Sequence, residues 1–551
     1  MPPMPSDEHA SALRDEGASG ADRTEAAGEA RYPHPEPELI DYRDPAASME
    51  ALLEAGFATW EAALDYLYDV ALVRAMGRPA AYAELRRTFY GDAPGPRPAP
   101  AVGAPWSALL DEWRTRLAPH LMNAYHPRAW GYFTPPPLPS SVLGELLSQV
   151  AHQGVDVWHA GPVGAFVEEE VVGWLCDLVG YGAGSFGLLT SGGVMANFIA
   201  LALARDVRLR RLHGLDRPPR GAALEGVRVY ASDQAHFSVG RALDELGFPA
   251  ETLVVLPSDG RFRLRGAAVA AAVDRDRRAG LTPLAVAAVA GSTNTGSVDL
   301  VGELADVAAR EDLWLHVDAA YGAAVRLSES NAWRVSDLER ADSVTVDPHK
   351  WMFQAYDIGG LVVRDGGNLL ETFGGRRPEY YRGGEGPPDD AGDHVAADHG
   401  DAGQLNFWKL GFEGTRRWRA LKLWLSWKHL GTAGLGRLIE SNLAVAGHLA
   451  RTIAASDDFE ALPAEPELSV VCFRHLPGGR ATAARMDAAA LDANQDRLQA
   501  ALAASGDGWL STTRLRDATY LRAGVLNYLS TEADADALLA TLRRLAAAAS
   551  S

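Results

Sequence analysis

The chain has 551 residues, with 72 acidic side chains against 52 basic ones and a net charge of −20. That length allows two or three domains around a large core, and the acid excess argues against nucleic-acid binding through a basic face. No apolar run approaches the roughly 20 residues that a bilayer span needs, and the N-terminus lacks a charged-then-apolar signal pattern, so the reading is cytoplasmic with no membrane partner.

In chain order, residues 1–45 show no apolar period and read as a disordered acidic extension. Eleven acids against four arginines there, and six against one over 382–401, place −12 of the −20 in two stretches rich in Gly, Ala or Pro. Residues 46–138 read as a helical segment, with Met49, Leu52, Leu53, Phe57, Trp60, Leu64, Leu67 and Tyr68 at helical spacing. It contains His126-Pro127-Arg128-Ala129-Trp130-Gly131-Tyr132-Phe133, followed by Thr134 and three prolines. Residues 139–412 carry buried-strand patterns and helices. Asp156-Val157-Trp158 comes early in this stretch, before the turn G-L-L-T-S-G-G-V-M-A-N over 187–197, which opens a helix running to about Arg210. Glycines such as Gly192 and Gly193 let backbone N–H groups close around a phosphate at a positive helix N-terminus.

Three buried-strand patterns follow, each with a polar group at its C-terminal end, where open parallel sheets bind ligands. Residues 227–230 lead to His236, 284–289 to Ser292-Thr293-Asn294, and 313–317 to Asp318-Ala319-Ala320-Tyr321. A further β-branched run, 343–346, is broken by Asp347-Pro348 and sets Lys350 between His349 and Trp351. A lysine desolvated among aromatic residues at a strand end has an amine free to condense with an aldehyde. A Gly- and Asp-rich loop over 374–404 carries Tyr380 and Tyr381. Residues 413–551 read as a small domain that opens on Arg416-Arg417-Trp418-Arg419-Ala420-Leu421-Lys422 and then alternates strands (468–474, 520–525) with Ala/Leu-rich helices. The two cysteines, Cys176 and Cys472, lie in apolar segments without metal-ligand spacing and read as core thiols in a reducing compartment, with no metal site. Taken singly, each feature has an ordinary structural reading: a snorkelling lysine, a capping Asp318 or Asp156, a structural His236, a solvated arginine face.

Together these motifs resemble the group II pyridoxal-phosphate-dependent amino-acid decarboxylases, among them the aromatic-L-amino-acid, glutamate, histidine and 2,4-diaminobutyrate decarboxylases. The resemblance runs from about Ser48 to the C-terminus, in the family's order. It implies an α/β fold-type-I enzyme: a large domain over 139–412 with a mostly parallel seven-stranded sheet, a helical dimerisation segment over 46–138, and a small α+β domain over 413–551. It implies decarboxylation of an L-amino acid to its amine, by a homodimer with active sites at the interface. An aldehyde-forming decarboxylase-oxidase, an aminotransferase and a non-catalytic relative stand as alternatives.

The resemblance also assigns residues. Lys350 matches the lysine that carries pyridoxal 5'-phosphate, in D-P-H-K-W with Asp347 and His349. Ser191, Gly192 and Gly193 match the phosphate cup, Asp318 the partner of the pyridine nitrogen, and Thr293 the loop beside the ring. Ala320 and His236 match the groups on the two ring faces, His236 also approaching the substrate carboxylate. Tyr132 and Phe133 match pocket aromatics, although Ala129-Trp130 shifts the first aromatic by one place. Asp156 stands where aromatic-substrate members place a phenylalanine that reaches into the partner's pocket, and an acid fits the diaminobutyrate type better. Arg522 matches an arginine that holds the substrate carboxylate in some members, with Arg474 the runner-up. Tyr380 matches the loop tyrosine that protonates Cα, with Tyr381 the second candidate. The amino acid itself is left open.

Overall fold

Seven strands form the central sheet of the computed structural model, which describes residues 49–69, 76, 81–215, 219–374 and 405–548. They are β1 Phe186–Thr190, β2 Val227–Ser232, β3 Leu253–Leu256, β4 Thr282–Val289, β5 Trp314–Asp318, β6 Ser343–Val346 and β7 Gly359–Val363, in the order β1-β7-β6-β5-β4-β2-β3. Strands β2 to β6 run parallel, and β7 lies antiparallel to both β1 and β6. Strands β1, β5, β6 and β7 are buried at every residue, which is why they read as continuous apolar runs rather than alternating ones. The helices Pro162–Val179 and Gly193–Leu203 pack on β1 and β7, while Gly266–Arg278 and Val301–Glu311 cover β4. The helix expected to reach Arg210 leaves α-geometry at Leu203 and continues in wider turns over Ala204–Leu209.

A second sheet, antiparallel and ordered β10-β11-β9-β8, comprises β8 Phe459–Ala461, β9 Val470–His475, β10 Ser511–Leu515 and β11 Ala518–Gly524. Phe459, Phe473 and Leu521 from this sheet, with Leu498 and Leu538 from the helices Ala488–Ser505 and Glu532–Ala548, build a core separate from that of the large sheet. The long helix Ala420–Ala454 joins the two bodies and is interrupted at Gly431, whose φ of 67° is a left-handed conformation that glycine adopts without a Cβ clash.

One reading is corrected. The arginine run is no solvated face: Arg416 is 1% exposed and Lys422 fully buried, because the chain passes here between the edge of β1 and the helix Pro139–Ala151 before the long helix begins. The stripe of the helix Met49–Tyr68, expected to serve dimerisation, is left largely uncovered by its own chain, although the helix meets Trp106–Glu112: Ala62 is its sole buried residue, and Phe57 is 69% exposed. Among the described residues no helix is long and apolar enough to cross a membrane. Cys176 and Cys472 are buried, unpaired thiols, and burial raises their pKa values to about 11 and about 12.

Candidate active site

The carboxyl ends of β2, β4, β5 and β6 open on one cavity of about 470 Å³. Ser191, Gly192, Gly193, His236, Thr293, Asp318, Ala320, Asp347, His349 and Lys350 all line it, and so does Phe133. Residues spread over 218 positions of sequence meet because parallel strands deliver their C-terminal loops to the same edge of the sheet.

Lys350 follows β6 in a tight turn, its backbone N–H donating to the Asp347 carbonyl at 2.9 Å. Its Nζ lies 3.0 Å from Asp347 Oδ2. Next to it Trp351, wholly buried, stacks on Tyr321 with ring centroids 4.9 Å apart, and Tyr321 stacks on Phe133 at 4.4 Å. This column of three rings forms a rigid apolar wall on the Lys350 side of the cavity.

Across Asp347 from Lys350 lies a backbone cradle. Gly192 caps the helix Gly193–Leu203, whose first N–H groups have no partner inside the helix. A Cβ on Gly193 would come within 2.9 Å of Asp347 Oδ2, and one on Gly359 would collide with the Gly192 backbone. Asp347 Oδ1 is buried with no hydrogen-bond partner among the described residues. A phosphoryl group fits the helix N-terminus, where N–H groups without a helical partner open on the cavity. Deeper in the cavity Asp318, 7% exposed, accepts from Asn197 Nδ2 at 2.7 Å and from the Ala320 N–H at 3.2 Å. A carboxylate fixed at both oxygens is suited to meet a protonated pyridine nitrogen. The residues present therefore fit pyridoxal phosphate at both ends.

His236 lies over this space with Nδ1 2.7 Å from the Ser238 hydroxyl, and burial holds its pKa below the ordinary value. His349, also lowered by burial, donates from Nδ1 to the Ile358 carbonyl at 2.6 Å.

Three expected substrate residues do not line the cavity. Tyr132 is 59% exposed and meets Trp509 edge-on at 4.6 Å. Asp156 accepts at its backbone oxygen from Trp408 N–H at 3.1 Å, and its side chain stays outside. Arg522 lies behind Phe133, its Cζ 4.6 Å from that ring, and donates from Nε to the Thr293 carbonyl at 2.7 Å and from Nη1 to the Gly131 carbonyl at 3.1 Å. Tyr380, Tyr381 and the rest of the 375–404 loop lie outside the described residues. Sequence reasoning missed Met195, Phe237 and Tyr356, which line the cavity. Adjacency was the available signal for Phe237, beside His236. A larger groove of about 860 Å³ elsewhere holds Arg261 and Arg263 paired with Glu467, and no lysine lines it among the described residues.

Residues 93–476 match the pyridoxal-dependent decarboxylase conserved domain. The chain belongs to this family. It is a pyridoxal-phosphate-dependent lyase that decarboxylates an amino acid. The decarboxylase is 32% identical to the aromatic-L-amino-acid decarboxylase of Bacillus atrophaeus over 81% of this chain and 87% of that one. It is likewise 32% identical to the L-2,4-diaminobutyrate decarboxylase of Rhizobium meliloti, over 79% and 81%. The crystal structure of the Oryza sativa enzyme TDC with PLP and tryptamine superposes with a TM-score of 0.81 at 25% identity, covering 91% of this chain and 98% of that one. By name the first two relatives share decarboxylation but not the amino acid.

Proposed function

We propose that this decarboxylase carries its cofactor on Lys350, with the phosphate in the Ser191-Gly192-Gly193 turn and the ring nitrogen on Asp318. His236, Ala320, Thr293, Asp347 and His349, which line the same cavity, would complete the surroundings of the cofactor. The observation that supports this reading is the convergence of the lysine, the fixed carboxylate and the glycine cradle on one cavity of about 470 Å³. Bound there, pyridoxal phosphate supplies an electron sink for the pair released when the bond from Cα to the carboxylate breaks. Asp318 keeps the ring nitrogen charged, because an opposite charge nearby favours the charged form. Asp347, 3.0 Å from Lys350 Nζ, holds that ammonium in place when its nitrogen is not otherwise bonded. Phe133 presents an apolar face, and binding energy from the rest of the substrate aligns the bond to be broken.

Tyr380 returns a proton to Cα, with Tyr381 the second candidate. The working unit is a homodimer, in which Asp156 and Tyr132 serve the cavity of a second copy. Arg522 supports the site through Phe133 and the Thr293 carbonyl rather than by touching substrate, since its guanidinium lies behind that ring. Two buried thiols without a disulfide support a cytoplasmic location.

Borohydride reduction of the holoenzyme followed by peptide mapping tests the lysine. A pyridoxyl group is expected on the peptide containing Lys350, and Lys350→Ala should lose both label and turnover. Label on another lysine would overturn the assignment. Release of labelled carbon dioxide from a panel of aromatic, acidic and diamino acids identifies the substrate.

A further inference from the structure

Asn197 is fully buried in the helix Gly193–Leu203 and meets four side chains from three other elements. His316 and Asp318 alternate along β5 and so share a face, and Thr345 of β6 is in register with Asp318. All three turn to the Asn197 carboxamide: Asp318 Oδ2 lies 2.7 Å from Nδ2, His316 Nε2 3.0 Å from Oδ1, and Thr345 Oγ1 2.7 Å from Oδ1. The fourth, Ser238, opens the helix Ser238–Glu245 with its Oγ 2.8 Å from Nδ2.

The donor and acceptor inventory orders the contacts of Asn197. An ionised Asp318 only accepts, so it faces the amide nitrogen of Asn197. The second amide hydrogen goes to Ser238 Oγ, and the amide oxygen accepts from Thr345 and His316. Ser238, having accepted once, keeps its own proton for its remaining neighbour, His236 Nδ1, at 2.7 Å. The Ser238 backbone N–H, a donor in every state, points at the same nitrogen from 3.4 Å. Nδ1 therefore accepts, and the imidazole proton sits on Nε2, which has no partner among the described residues although the ring lines the cavity.

We propose that Asn197 is a positioning residue that aims Asp318 and, through Ser238, sets His236 in the tautomer that presents an Nε2–H to the cavity. The inference rests on the reading of His236 and Asp318 as site residues given above. His236 then meets an anionic group of the substrate as a hydrogen-bond donor and cannot take a proton from it at that atom. Asp318 and His236, which line the same cavity, are set by a single amide, so disturbing that amide disturbs both.

The test reads the ring nitrogens of holoenzyme labelled with nitrogen-15 at histidine, with His236 assigned from its loss in His236→Gln. Nδ1 is expected in the unprotonated range and Nε2 in the protonated one. Ser238→Ala removes one hydroxyl and should give a mixture of tautomers. Asn197→Asp, isosteric but unable to donate to both partners, should give the same mixture together with faster cofactor release on dilution, by about tenfold, the size of one lost hydrogen bond to a charged group. Should Asn197→Asp fail to fold, Ser238→Ala decides alone. A proton on Nδ1 in the parent, or no change of tautomer in Ser238→Ala, would overturn the proposal. Parental turnover in His236→Gln would instead remove the site reading, and with it the purpose assigned to Asn197, whatever the ring spectrum shows.

Discussion

His316 is wholly buried between Asn197 Oδ1 at 3.0 Å and the Ser343 hydroxyl at 2.9 Å. Burial lowers its pKa from 6.5 to about 4, so between those values an unfolded chain takes up a proton that the folded one refuses. Taken alone, this histidine makes the fold lose stability as pH falls from about 6.5 to about 4, by about 3 kcal/mol in all. Asp299 works the other way. Burial raises its pKa from 3.8 to about 7, and the folded chain then holds a proton that the unfolded one has lost. Its contribution is complete at low pH and fades as pH rises to about 7. The two effects are similar in size and opposite in sign over the same window, so the parent should show a shallow pH dependence there from this pair. Replacing His316 with Gln leaves Asp299 unopposed. Urea unfolding of the variant should show stability falling as pH rises from about 4 to about 7, more steeply than in the parent. Parallel pH profiles for the two proteins would show that His316 is not held neutral.

Strand β1 pairs on one side only, with β7, and an edge strand must find partners for its outward groups. Leu189, one residue before the end of β1, donates its N–H to Glu168 Oε1 at 3.0 Å, and its carbonyl accepts from Arg416 Nη2 at 2.7 Å. Glu168 and Arg416 also pair directly, in a site with no solvent access. Arg416 further donates to the Val155 carbonyl at 3.2 Å, tying the strand end to the segment that carries Asp156. Removing one member leaves a buried charge uncompensated, so Arg416→Met should cost about 3–5 kcal/mol in urea unfolding, and the double change Glu168→Met with Arg416→Met much less. Equal losses in both proteins would mean that packing, not charge, is at stake. The pair also shows why part of the chain was not legible in the sequence. Strand β6 was read at 343–346, where it lies, because its β-branched run and the proline that stops it are neighbours. The T-S-G-G turn and Asp318 were legible for the same reason, each sitting at the end of a local pattern. Arg416 was read as solvated because Glu168, its partner, is 248 residues away, and no spacing rule spans that distance. Arg522 was likewise read as a substrate ligand, and its place behind Phe133 depends on a contact between the small domain and the entrance stretch.

The chain folds around two cores, yet it leaves a broad apolar surface uncovered. On the helix Met49–Tyr68, Leu53, Phe57, Trp60 and Leu64 are exposed. On the helix Pro139–Ala151, Leu143, Leu146, Leu147 and Val150 are exposed, Leu147 by 54%, and Val163 and Phe166 continue the exposure on the helix Pro162–Val179. The first stripe was legible as helical spacing, but spacing cannot tell whether such a face meets its own chain or another. Soluble monomers seldom expose contiguous apolar patches beyond a few hundred Å². A second copy of the chain is the occupant proposed here. Its support is the position of Asp156, which stands outside its own cavity on the segment between two of these helices. An obligate interface of this kind buries about 2,000 Å² or more and resembles a core cut in half, so a charge placed at its centre is costly. Sedimentation equilibrium of the parent should therefore give twice the chain mass of 58.9 kDa. Leu147→Asp combined with Phe57→Asp should shift the mass to that of a single chain, with the near-ultraviolet dichroism of the folded chain retained and turnover lost. A parent that sediments as a single chain at full turnover would refute the dimer and leave the chemistry of the cavity to one copy.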